Sequence, residues 1–122
     1  MVTRVLVGIA VLFALCGAAN AQPVVYTWSG SGKEVPGSTN CTTYKMVIEV
    51  TVDGSSVKGK FQQEGRPQRT FETTLGKNGE IKTAAMVGGG GMVDVMGQIG
   101  PDGSKIKIYG YCDFEGPLTR KP

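Results

Sequence analysis

Arg66 and Arg69 flank Pro67 in a short polar stretch, and two guanidinium groups presented from one turn could grip a carboxylate or phosphate through paired hydrogen bonds. A second candidate is the set Lys105, Lys107, Tyr109 and Tyr111, which alternates with Ile106, Ile108, Gly110 and Cys112. Strand geometry sends the first four to one face and the rest to the other. Tyrosine beside lysine is the composition of a binding surface: tyrosines supply contact area at little entropic cost, and lysines favour an anionic partner. Acids offer a third chemistry, since a pair drawn from Glu34, Glu64, Glu72 and Asp94 could hydrolyse a glycoside without histidine. No spacing fixes any two of them together. Asp94 lies between Met92 and Met96, opposite Val93, Val95 and Ile99, and the branched aliphatic side is the better core, so Asp94 reads as a surface acid.

Other chemistries drop out. The 122 residues contain no histidine, which removes Ser-His-Asp and Cys-His catalysis and the commonest transition-metal ligand, so neither a metal nor a cofactor is expected. Residues 54–60 spell most of a phosphate-binding P-loop, but Phe61 stands where Ser or Thr should hold magnesium, and the stretch alternates like a strand where a helix is needed. The Gly88 to Gly91 run lacks the third glycine of a dinucleotide fingerprint, Val93 standing in its place; it reads as a turn or a close backbone approach. Trp28, the single tryptophan, shares a face with Tyr26 and reads as core. The sequon at Asn40 matters only in a eukaryotic secretory pathway.

These side chains need elements to hold them, and the patterning supplies strands. Seventeen glycines follow residue 21, and Val, Ile and Thr are frequent while Leu is scarce, which favours short strands and tight turns. Strands are expected over 24–29, 42–52, 57–63, 69–75, 80–87, 92–99, 104–111 and 114–120, with a long loop over 30–40. The clearest alternation runs from Tyr44 through Met46, Ile48 and Val50 to Val52. Asn78-Gly79 signals a tight hairpin joining the fourth and fifth strands. Seven or eight short strands in sequence predict a small antiparallel up-and-down barrel, with a two-sheet sandwich as the alternative.

The first 21 residues carry a different signal. Arg4, the apolar run 5–15 and the small-residue pattern Ala19-Asn20-Ala21 predict an export peptide cleaved before Gln22 and one all-β domain over 22–122, with no membrane span left after cleavage. Leu15 before Cys16 breaks the lipoprotein pattern. The formal charge is +3, and removing this segment takes Arg4 alone, leaving +2, too little to argue for nucleic acid. Cys41 and Cys112 then remain in a chain bound for an oxidising compartment, periplasmic or extracellular, and are expected to form a disulfide.

An early lone Trp28, hairpins throughout, and an ending of Gly110-Tyr111-Cys112-Asp113-Phe114-Glu115-Gly116-Pro117-Leu118-Thr119-Arg120 resemble small exported alphaproteobacterial proteins of unknown function. The resemblance implies an exported β-barrel-like domain and carries over no active site. Avidin-like and lysozyme-inhibitor barrels are analogous in fold only, because Thr27 precedes Trp28 where the former has Gly-x, and no inhibitory loop is present. The expected function is therefore a non-catalytic exported binding module for a small ligand or an envelope-protein partner. The alternatives are a carboxylate-dependent hydrolase and a structural envelope protein.

Overall fold

A computed structural model describes residues 22–122; the expected export segment, with Cys16, lies outside the described residues. Nine strands form there: β1 (Val24–Ser31), β2 (Lys33–Glu34), β3 (Lys45–Asp53), β4 (Ser56–Gln63), β5 (Arg69–Thr74), β6 (Glu80–Met86), β7 (Met92–Gln98), β8 (Ser104–Tyr109) and β9 (Cys112–Arg120). Eight follow one antiparallel path in the order β5-β4-β3-β1-β9-β8-β7-β6, nearly closed into a barrel, and β2 pairs with β9. Apart from the β1–β9 ladder and the unpaired but adjacent β5 and β6, each main strand pairs with the next along the chain, so the up-and-down barrel is the fold and the sandwich is not.

Alternation explains which residues fill it. In β3 and β4 the buried set is Met46, Ile48, Val50, Val52, Val57 and Phe61, while Lys45, Glu49, Lys58 and Lys60 face out. Ile81 and Ala85, Val95, Ile106 and Ile108, then Phe114 and Leu118 complete the interior from the other half. Burial of such side chains contributes about 1.5–3 kcal/mol apiece. Two inward glycines make room for large rings. A Cβ on Gly59 would come within 2.0 Å of the Phe71 ring, and one on Gly116 within 2.0 Å of Trp28 Nε1. Trp28 therefore packs into the wall against the core, as its shared face with Tyr26 suggested.

Four expectations need correction. The 30–40 stretch is not all loop, because β1 runs on to Ser31 and Lys33–Glu34 pairs with Cys112 and Asp113. Residues 42–44 are not strand: Cys41–Thr43 is a turn of 3-10 helix, and β3 begins at Lys45. The strand drawn over 104–111 stops at Tyr109, since the Gly110 N–H donates to the Cys112 carbonyl and the chain reverses there, so β9 starts two residues before the expected 114. The Asn78-Gly79 turn forms with positive φ at both residues, 60° and 79°, but the strands it joins share no ladder. Its outer groups are taken by other strands: the Ile99 N–H donates to the Gly79 carbonyl, Gln98 Nε2 to the Asn78 carbonyl, and the Leu75 N–H to the Ser55 carbonyl. The seam of the barrel lies between β5 and β6.

Cys41 and Cys112 form the expected disulfide, their Cα atoms 5.6 Å apart. It ties loop 35–44 to the start of β9. No helix among the described residues is long and apolar enough to cross a membrane.

Candidate functional site

The loop-bearing end of the barrel collects the ends of β4, β6 and β8 and the starts of β3, β5, β7 and β9. Here the interior is incompletely filled, leaving a cavity of about 530 Å³, within the range of small-molecule sites. Met46, Phe61, Val87, Val93, Ile108 and Phe114 form its apolar wall. Tyr44, Gln63, Tyr111, Arg66 and Arg69 bring polar side chains to the lining, which contains no carboxylate.

Each rim group is placed by a local reason. Arg69 opens β5 opposite Phe61 and is in phase with Phe71, so alternation turns it inward, half-buried, at the mouth. Arg66 is exposed but sits on a pinned turn: its N–H donates to the Gln63 carbonyl at 2.9 Å, and its carbonyl accepts from Gln62 Nε2 at 2.8 Å. Gly88 faces Arg69 from the β6–β7 connection, and a Cβ there would stand 3.2 Å from Arg69 Nη2. The glycine keeps that face of the guanidinium uncovered. Among the described residues the ion pairs use Lys33, Lys60, Lys107 and Lys121, and neither arginine is in one.

The other proposed set is divided by the fold. Lys105 is exposed at the far end of β8. Lys107 Nζ lies 3.6 Å from Asp113 Oδ2 and 5.3 Å from the Tyr109 ring centre, so it is already engaged. Tyr111 has left the strand for the β8–β9 reversal, where it lines the mouth, and its hydroxyl accepts a hydrogen bond from the Thr39 N–H at 3.2 Å. Instead of four free side chains in a row, the outer face carries a charge cluster of Lys33, Lys107, Asp113 and Glu115, with Lys33 Nζ 3.6 Å from Glu115.

Electrostatics within that cluster are opposed. Burial pushes the Asp113 carboxyl above its usual range, and the neighbouring Glu115 carboxylate pushes it further, against the pull of Lys107 and Lys33. Burial alone would raise Glu115 too, but its hydrogen bond with Asp113 and the two lysines take it below its usual range. Of the two carboxylates, Asp113 is therefore the one that takes up a proton first as pH falls.

Glu34, Glu64, Glu72 and Asp94 are all exposed and none lines the mouth cavity. β6 stands between the strands bearing Glu72 and Asp94. A groove of about 610 Å³ also runs outside the seam, but Lys58, Lys60, Glu49 and Glu72 line it, with Lys60 on Glu49 at 3.4 Å, so its charges offset each other. Sequence reasoning singled out the arginines and Tyr111 without joining them to one site. The alternation that sets Phe71 inward could have placed Arg69 inward as well; the reversal at Gly110 had no such signal. Comparison with protein-family models, with curated proteins and with solved structures finds nothing that matches this chain.

Proposed function

We propose that this chain is an exported, non-catalytic binding module that takes a small ligand into the open end of its barrel. The observation that carries this reading is the incompletely filled mouth, apolar within and polar at its rim, because such a concavity buries a ligand as no flat sheet face can. Tyr111 and the two arginines then belong to one site, and the outer β8 face contributes stability more than recognition. The disulfide supports a non-reducing compartment, and with the composition of residues 1–21 it supports export. Kinship with the small exported alphaproteobacterial barrels is part of the same proposal and rests on the early lone Trp28, the succession of hairpins and the terminal segment from Gly110 to Arg120. A titration of isotope-labelled protein with small apolar and amphipathic compounds, followed by amide shifts, tests the site. Shifts should cluster at Tyr44 to Met46, Gln63 to Arg69, Val87 to Gly91 and Gly110 to Phe114. Shifts confined to the outside of β8, or none with any compound, would overturn it.

A further inference from the structure

We propose that the ligand is a single-chain amphiphile with an anionic head, its tail in the barrel and its head held by Arg69 and Arg66. The inference rests on the mouth being the binding site and adds the ligand class. Three independent features lead to it.

The wall and the rim differ in kind. The buried side chains of the lining are Met46, Phe61, Ile108, Phe114 and the disulfide-bonded Cys112, so a polar ligand placed against them would lose its hydration without replacement bonds. A hydrocarbon tail loses nothing and gains from each methylene removed from water, by about fourfold in affinity per group. The rim, by contrast, carries two permanent positive charges and no negative one. Lys45 and Glu64, each next in sequence to a lining residue, face a separate outer depression.

Arg69 is the stronger argument of the pair. A half-buried guanidinium directed at an apolar space has five donors to satisfy, yet among the described residues it has no carboxylate partner, while four lysines elsewhere do. An anion entering the mouth would meet it with charge-assisted, two-pronged bonds in a setting less screened than open solvent. A side chain at Gly88 would crowd Arg69, and the pinned turn fixes the backbone of Arg66 at the same rim. A carboxylate and a phosphate monoester share this chemistry, so a free fatty acid and a lysophospholipid-like head are two sources of one ligand class.

Calorimetric and amide-shift titrations with decanoate, decyl phosphate, 1-decanol and acetate separate the terms. Decanoate or decyl phosphate should bind about 10- to 100-fold tighter than 1-decanol, the range expected for hydrogen bonds to a charged group. Acetate should bind far more weakly than decanoate, and the tighter of the two anions identifies the source of the head. Arg69→Gln should remove most of the anions' advantage over 1-decanol, and Arg69→Gln with Arg66→Gln all of it, with 1-decanol unchanged in both. Arg69→Glu should instead favour decylammonium, a gain that a merely unfolded variant could not show. Equal binding of decanoate and 1-decanol by the unaltered protein, or a preference that survives Arg69→Gln and Arg66→Gln together, would overturn the anion proposal and leave the mouth as an apolar site. Absence of mouth shifts with all four probes would overturn the site itself.

Discussion

Reduction of the Cys41–Cys112 bridge is the perturbation with the most directly calculable effect. The bridge spans 71 positions and encloses β3 to β8 entire, so in the unfolded chain it forbids most of the arrangements that a free chain would explore. Chain-entropy reasoning gives about 4 kcal/mol at 25 °C for a loop of that length. In a domain of this size each kcal/mol moves the melting point by about 4–8 °C, so reduction should lower Tm by about 15–30 °C. Both sulfurs are buried, and their packing must be separated from the constraint. Circular-dichroism melts of oxidised protein, reduced protein and Cys41→Ala/Cys112→Ala do so, because the reduced chain keeps both sulfurs and the alanine variant keeps neither. If the constraint dominates, the reduced and alanine forms should melt close together, far below the oxidised form. Urea titration adds a signature: freeing the unfolded chain exposes more surface and should steepen the m-value. A reduced protein melting within about 5 °C of the oxidised one would refute the reasoning from loop length.

Gly59→Ala should destabilise the barrel by about 1–3 kcal/mol, since its Cβ would meet the Phe71 ring at 2.0 Å; an unchanged melting point would show that the ring moves freely. Asp113→Asn should raise Tm by a few degrees at neutral pH. A carboxyl whose folded pKa is raised adds stability below its unfolded pKa, about pH 4, and loses it as pH rises through the folded value, so the variant's advantage should grow with pH; an advantage largest in acid would contradict this. Intact mass of exported protein should correspond to a chain beginning at Gln22, and a product that retains Cys16 would refute that processing.

The parts of the fold written in alternation were legible in the sequence. Met46 to Val52 against Val57 to Phe61, and Ile106 with Ile108 against Val95, follow from period two alone, because a slip of one residue would put lysines in the core. Boundaries that depend on competition for a hydrogen bond were not legible. Tyr109, Gly110 and Tyr111 continue the pattern of β8 in sequence, yet the Gly110 N–H turns to the Cys112 carbonyl and carries Tyr111 to the mouth. The Asn78-Gly79 turn took the conformation that its residues favour, while its neighbours drew the flanking groups toward β4 and β7. Of the site, the chemistry of Arg66 and Arg69 was readable, but their shared cavity depends on how the β4–β5, β6–β7 and β8–β9 connections meet, which no local pattern encodes.

The two ends of the barrel differ in how they are filled. Where β3 turns into β4 and β7 into β8, the interior is closed by Val52, Val57, Ile81, Ile106 and Leu118, with Tyr26, Leu75 and Ile99 packed beside them. At the other end the long loop is tied down by the buried disulfide and by the Thr39 hydrogen bond to Tyr111, and Tyr111 and Cys112 themselves line the cavity. This end of the barrel keeps its space beside Arg69. It also places the seam to effect, since the mouth end of β5 carries Arg69 and the connection leaving β6 carries Gly88, and no ladder joins these two strands. Side-chain packing and the Gly76 to Glu80 turn hold the seam at the closed end, where the Gly76 N–H donates to the Glu80 carbonyl. Widening at the mouth would therefore break no strand-to-strand bond across that gap, and on the proposed reading a ligand tail would enter beside Arg69 there.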